Sequence, residues 1–449
     1  MTEPLHVAIV GSGPAGFYTA DALLRSEEPR VEVDVIDRLP TPWGLVRLGV
    51  APDHENIKAV SRAFEKTAAR PGFRFFGNVE VGSTVSHDEL AAAFDAVVYT
   101  VGAQTDRRLG IPGEDLPGSW PATAFVAWYN GHPDFQDLDF DLDTERVVVV
   151  GNGNVAIDCA RMLALTAEEL APTDTTEEAA AAIASSPIRE IVMLGRRGPA
   201  QAAFTPPELN ELGELAGAEP VVDAADLRLD PASAAELEAD RDRARRNYEL
   251  LQEYAARPSE GKPRRIVLRF LVSPLALVGD GKVEAVEVVH NELVDDGGRI
   301  VARPTGETEL IPAGLVLRSV GYRGVALPGV PFDETGTIPN TAGRVAGADR
   351  VYAAGWIKRG PSGVIGTNKK DAAETVECLL EDARAGALVA PAPRDLAELL
   401  DEKGADFVDY DGWQAIDAAE RAAGELHGRP RVKLHRWQAL LETGRRIPR

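Results

Sequence analysis

Gly11, Ser12, Gly13, Pro14, Ala15 and Gly16 stand directly after the apolar run LHVAIV and directly before a segment in which Phe17, Ala20 and Leu24 share one helical face. Glycines at 11, 13 and 16 permit a tight strand-to-helix turn and let backbone amides at a helix N-terminus approach a pyrophosphate. Asp37 ends the next apolar run, VEVDVI, where a carboxylate accepts hydrogen bonds from ribose hydroxyls. That pairing selects an adenine dinucleotide without a 2′-phosphate, FAD or NAD. A second finger, Gly151, Asn152, Gly153, Asn154, Val155 and Ala156, follows the run RVVVV, but its next apolar run ends in Leu194, Gly195, Arg196 and Arg197, with no acid at the turn. Two guanidiniums there pair with a dianionic 2′-phosphate through charge-assisted bonds, so the second site reads as NADP(H). Two dinucleotide sites in one chain point to hydride traffic between them. If the first nucleotide is FAD, the protein's task is alignment and electrostatics, with no protein nucleophile or metal.

The rest of the composition narrows the class. The chain has 449 residues, enough for two domains, and its 44% hydrophobic and 27% charged residues are those of a globular protein. Lys plus Arg is 48 against 71 for Asp plus Glu, a net charge of -23 that repels nucleic acid and anionic membranes. Cys159 and Cys378 are too few for a disulfide framework or for the four thiolates of an iron-sulfur cluster, so any such cluster belongs to another protein. The longest stretch without Asp, Glu, Lys or Arg, Leu116 to Pro133, contains three prolines and cannot be a spanning helix. The start MTEPLHVAIVGSG has no cationic lead and no small-residue cleavage pattern, which makes a cytoplasmic protein the expectation.

Strand-helix-strand units at both fingers predict an α/β fold with doubly wound parallel sheets. The run VYAAGW and a Gly-rich turn leading into a helix from about Ile365 to Asp382 share the character of the first fifty residues. The chain is therefore expected to return to its first domain there: two Rossmann-like domains, an FAD-binding one over 1–104 and 325–449, and an NADP-binding one over 105–324 inserted into it. Thr166 to Ser186 reads as peripheral helical elaboration, 223–257 as one or two exposed helices, and RIVLRFLVSP, KVEAVEVVHNELV and LVLRSVGY as strands. The tail from Pro391 holds two helical segments expected to pack on the first domain.

PTPWGLVRLGVAPDH (Pro40 to His54), VGNGNVAIDCAR, LGRRGPAQAAFTPPEL, LVLRSVGYRG and GWIKRGPSGVIGTNKKDA together resemble the adrenodoxin-reductase-type ferredoxin-NADP(+) reductases, over nearly the whole chain. The resemblance implies noncovalent FAD, NADP(H), and electron exchange with small iron-sulfur proteins of the ferredoxin type. It places Ala15, Asp37, Leu45, Val81, Trp356, Gly363, Val364 and Ile365 at the flavin nucleotide, Asp37 standing where relatives carry the longer Glu. It places Arg107, Asn152, Gly153, Asn154, Val155, Arg196, Arg197 and Glu208 at NADP(H), with Gly363 near the nicotinamide. It also implies a proton-carrying role near the flavin for His54 and Glu211, to which an imidazole is suited. From the residues themselves, Trp356 is large enough to cover a ring face, and Gly363 to Gly366 precedes a helix whose positive end suits a reduced, anionic flavin.

An acidic ferredoxin needs a local positive face on a chain this acidic. Arg241, Arg243, Arg245 and Arg246, with Lys262, Arg264 and Arg265 close behind and Lys58, Lys358 and Arg359 nearer the flavin, are the expected docking cations. The alternatives are an NADPH diaphorase or quinone reductase, and a non-catalytic dinucleotide-binding sensor. A thioredoxin-reductase-like enzyme would need a CxxC pair, whereas Cys159 and Cys378 read as core residues.

Overall fold

The structure is a computed structural model that describes residues 3–297 and 299–445. The chain divides into two compact units, one of Met1–Thr105 with Gly321–Arg449, the other of Asp106–Val320.

In the first unit five strands run parallel in the order Val351–Ala353, Ala96–Tyr99, Leu5–Val10, Val31–Ile36, Phe73–Phe76. Two short antiparallel strands, Asn340–Thr341 and Arg344–Val345, extend the edge beside Val351–Ala353. Side chains alternate across the central strand: Val7 and Ile9 join Phe17, Phe64 and Trp413 in one core, while Ala8 and Val10 join Leu90, Phe94 and Tyr99 in another. Both faces are covered, which is why the strands are apolar almost throughout. The one fully buried charge in these strands, Asp34, is answered in register by Arg74 on the next strand, whose Nε and Nη2 donate at 2.7 and 2.6 Å. Helix Pro14–Leu23 packs against Thr367–Arg384, which begins two residues later than the sequence predicts.

The tail contributes three helices to this unit rather than two, Leu396–Glu402, Tyr410–Leu426 and Trp437–Thr443. Its anchor is Glu420, whose side chain is wholly buried. The Glu420 carboxylate accepts Arg47 Nη1 and Nη2 at 2.8 and 2.5 Å, Arg431 Nη1 at 3.0 Å and the Leu434 amide at 2.8 Å. Arg47 also lies over the Trp413 ring, and Trp413 meets Trp43 edge-on. These contacts fasten the tail to the Trp43–Leu48 turn.

The second unit has six parallel strands in the order Ser119–Pro121, Leu315–Arg318, Arg146–Val150, Glu190–Gly195, Arg264–Phe270, Ala218–Val222. Val147 and Val149 face a helical layer, and Val148 and Val150 face an antiparallel sheet of Val272–Val278, Ala285–Asp296 and Arg299–Pro312. The apolar run RIVLRFLVSP thus serves two sheets. It breaks at Leu271, whose φ of 55° turns the chain from one to the other.

Two expectations change here. Thr166 to Ser186 is packed rather than peripheral: Leu170, Ala179 and Ile183 lie in the main core. Arg264 staples this segment, donating to Leu163 O, Leu165 O, Ile183 O and Ser186 O. Residues 223–257 are also only partly exposed, since Leu250, Leu251 and Tyr254 of helix Arg246–Ala256 are buried.

Glu420→Ala leaves a guanidinium buried without its carboxylate, at a cost of about 3–5 kcal/mol. The expected result is a clearly lower urea midpoint by tryptophan fluorescence; an unchanged midpoint would contradict the anchoring role.

Candidate functional site

At the first finger Gly11 has φ 106°, and a Cβ there would stand 2.7 Å from Thr100 O. Buried Thr100 holds this approach by donating from Oγ1 to Val10 O and Gly11 O at 3.0 and 2.7 Å. A Cβ at Gly16 would fall 2.0 Å from Gly11 O, so the helix can seat on the turn only without one. Helix Pro14–Leu23 starts at Gly13 with no side-chain cap, leaving its N-terminal end to a ligand. Gly44, with φ 50°, closes over Gly13: a Cβ on it would come 2.9 Å from Gly13 Cα. Trp43 N donates to Ser12 O at 2.9 Å and holds that second wall.

Asp37 is fixed by three donors. Its Oδ2 accepts the Ser12 amide and hydroxyl at 2.8 and 2.5 Å, and its Oδ1 accepts the Leu39 amide at 2.9 Å. With two acceptor sites per oxygen, Oδ2 is filled and Oδ1 keeps one for a ribose hydroxyl. Burial pushes the Asp37 carboxyl up against the pull of these bonds, so a further hydroxyl donor stabilises its charged form.

The other predicted flavin residues lie in the same unit. Val81 is buried, Leu45 opens the turn Leu45–Leu48, and Ala15 is buried in the first helical turn. Of the nine large apolar side chains exposed among the described residues, Leu45 and Val364 are two. Trp356 leads the turn Trp356–Arg359, donates Nε1 to Ser362 O at 3.2 Å and meets the Tyr322 ring at 5.4 Å. Gly355 before it has φ 79°, and a Cβ there would stand 2.5 Å from Ala15 Cβ. Its amide donates to Asp371. Gly363 also has φ 79°, and Val364 N donates to Thr367 Oγ1 at 3.2 Å just ahead of a helix whose N-cap, Gly366, offers no capping side chain. Ile365 is half-buried behind them.

The second finger repeats the first. Gly151 has φ 141°, and a Cβ there would stand 2.2 Å from Ser319 O. Gly153 faces open space and caps helix Asn154–Ala164 with no side-chain bond, while Val155 in its first turn is half-buried. Asn152 lies over Gly195, where a Cβ would collide with its side chain, and Asn154 Oδ1 accepts the Thr205 amide at 2.9 Å. Asn291 donates to Arg196 O at 3.0 Å, and Arg197 O accepts Leu271 N at 3.1 Å. Arg196 is exposed and Arg197 half-buried. Burial first, then the neighbouring Arg196, Arg243 and Arg299 charges, holds the Arg197 guanidinium below its usual range. Arg107 is exposed, Glu208 is buried on helix Pro206–Glu211, and Glu211 ends that helix 3.4 Å from Arg161 Nε. His54 belongs to the first unit, half-buried at the start of the turn Glu55–Lys58.

Most of the expected docking cations are engaged by acids or carbonyls of their own unit. Arg241 pairs with Glu238 at 3.0 Å, Arg243 with Asp240 at 3.0 Å, Arg245 with Glu238, and Arg246 with Glu249 at 3.7 Å. Lys262 donates to Leu215 O, Arg265 pairs with Glu190, and Arg264 is the core staple. The Lys358 and Arg359 side chains, 6% and 19% exposed, turn inward onto Asp371. They brace the Trp356 turn instead of facing a partner. Sequence reasoning missed Ser12, Gly44, Thr100, Asp371 and Asn291 as supports; Ser12, Gly44 and Asp371 lie inside quoted motifs, and Thr100 and Asn291 carried no local signal.

These residues fit both nucleotides: two uncapped helix starts on glycine turns, one backed by an acid and the other by paired arginines. Fold and site define a flavin- and pyridine-nucleotide-dependent oxidoreductase. Residues 5–193 match the pyridine nucleotide-disulphide oxidoreductase family. The chain is 52% identical over 450 residues to NADPH-ferredoxin reductase FprA of Mycobacterium leprae, covering 98% of each. It is 42% identical over 462 residues to the mitochondrial NADPH:adrenodoxin oxidoreductase of Arabidopsis thaliana, covering 98% of this chain and 95% of the relative. The solved structure of Mycobacterium tuberculosis FprA in complex with NADPH superposes with a TM-score of 0.93 at 50% identity, covering 98% of this chain and all of that one. The chain belongs to the adrenodoxin-reductase-type ferredoxin-NADP(+) reductase family. Among the described residues no helix is long and apolar enough to cross a membrane.

Gly11→Ala sets a methyl against Thr100 O at an unfavourable φ. The variant should purify without the visible flavin absorption of the parent; full flavin content would exclude the close-approach argument.

Proposed function

We propose that this protein is an NADPH-ferredoxin reductase, taking electrons from NADPH and delivering them to a ferredoxin-type iron-sulfur protein. The observation that carries the reading is the contrast between the two fingers, Asp37 behind the first and Arg196 with Arg197 behind the second. Bound FAD supplies the chemistry, accepting a hydride and returning its electrons singly.

The chain's residues do the rest. Gly11, Gly13, Gly16 and Ala15 seat the flavin pyrophosphate on the helix start, and Asp37 orients its ribose. Leu45, Val81, Trp356, Gly363, Val364 and Ile365 shape the apolar walls of that nucleotide's site and exclude water. Asn152, Gly153, Asn154 and Val155 seat the second pyrophosphate, Arg196 and Arg197 select the 2′-phosphate, and Arg107 and Glu208 complete that site. His54 and Glu211 exchange the proton that accompanies the electrons. In the segment of Arg241, Arg243, Arg245 and Arg246 it is Arg241 and Arg246, 71% and 63% exposed beside their paired acids, that receive the acidic partner. The first unit is the FAD domain and the second the NADP domain, within the boundaries given above. Cys159 and Cys378, both buried and in different units, offer no dithiol, and burial pushes both thiols up. Two such thiols suit a reducing cytoplasm.

In an anaerobic titration followed by flavin absorption, NADPH should bleach the protein in strong preference to NADH. Arg196→Gln with Arg197→Gln should erase about a hundredfold of that preference. A flavin-free protein, or one indifferent to the two nucleotides, would overturn the reading. In ferredoxin-linked turnover, His54→Ala should alter the pH profile, and Arg241→Glu with Arg246→Glu should raise the KM for ferredoxin and flatten its salt dependence; unchanged curves would remove those assignments.

A further inference from the structure

We propose that Arg243 is a third guanidinium of the 2′-phosphate subsite, acting with Arg196 and Arg197 rather than with the arginines that receive a protein partner. The inference rests on the NADP(H) reading of the second finger and extends it.

Arg197 and Arg243 come from distant parts of the sequence but grip one turn. Arg197 Nη2 lies 3.4 Å from Gln201 O, and Arg243 Nη1 donates to Ala202 O, the next carbonyl, at 3.2 Å. That turn, Pro199–Gln201, directly follows the strand end that carries the two finger arginines. The Arg243 side chain is 41% exposed, against 71% and 63% for Arg241 and Arg246, and unlike Arg245, which is 40% exposed and pairs with Glu238, it reaches the turn beside the finger arginines.

Of the charged groups that act on Arg197, Arg196, Arg243 and Arg299 oppose its charge and Glu236 supports it. Glu236 is engaged with Gln201 Nε2 at 2.6 Å, and Asp240 takes the Arg243 Nε and backbone amide. Asp240 thereby orients the guanidinium with N–H groups to spare, since a guanidinium has five. An anion entering here would be attracted by the Arg196, Arg197 and Arg243 charges together.

The test is calorimetric titration of the full chain with 2′,5′-ADP and with 5′-AMP, probes that differ by the phosphate alone. Arg243→Gln should bind 2′,5′-ADP about tenfold more weakly, as for one lost charge-assisted contact, and 5′-AMP as before. Arg243→Lys, which keeps the charge and loses the fork, should recover part of the loss. Equal weakening toward both probes would mean that Arg243 only supports the turn, and no change toward either would detach it from the site; both results overturn the proposal. A parent protein that fails to prefer 2′,5′-ADP would instead remove the NADP(H) reading, and this inference with it.

Discussion

The structure depends on one contact made twice. In each unit the first glycine of a finger presses its backbone against the carbonyl that follows the neighbouring parallel strand, Gly11 on Thr100 O and Gly151 on Ser319 O. The same residues close the sheet from the other side, Thr100 N donating to Val10 O at 2.7 Å and Ser319 N to Val150 O at 2.8 Å. No side chain fits between them, so both turns are tight enough to aim a helix N-terminus at the crevice beyond the strand ends.

Charge at the end of the following strand then separates two otherwise similar cradles. In the proposed reading Asp37, half-buried and held by Ser12 and Leu39, disfavours a 2′-phosphate and favours hydroxyls, and Arg196 with Arg197 does the reverse. Both effects gain strength because the groups are partly removed from water, where Coulomb terms outweigh those at a surface. The net charge of -23 is therefore no guide to either site. What decides is the local excess, negative at Asp37 and positive around Arg197.

The finger chemistry was legible because the glycines act through the backbone at fixed spacing and the acid or arginine falls at the end of the next apolar strand. The two-sheet architecture was legible for a similar reason, since strands buried on both faces are apolar throughout. The supports were not. Asp371 takes the Gly355 amide, Arg47 meets Glu420, and Arg264 reaches back to Leu163, each across a separation that composition cannot encode. Cations suffer most from this limit: Arg264, Lys358 and Arg359 look alike as surface charges in the sequence, and the structure spends all three on buried acceptors. A run of arginines counts as a docking face only after its acids are subtracted.

These buried polar anchors also explain where rigidity is needed. A site that aligns a nicotinamide with a flavin depends on sub-ångström positioning, and helix starts alone do not fix the loops that form its walls. The Trp43–Leu48 turn is tied by Arg47 to a helix 373 residues further on, and the Trp356 turn is tied by Asp371 and Lys358. Leu45 and Val364, the apolar residues these turns present, are left exposed. Exposed apolar surface on a rigidly held loop is costly for a protein alone and favourable once a planar apolar ring covers it. In the site we propose, the ion pairs act on the flavin at one remove, by preventing these loops from collapsing onto their own side chains.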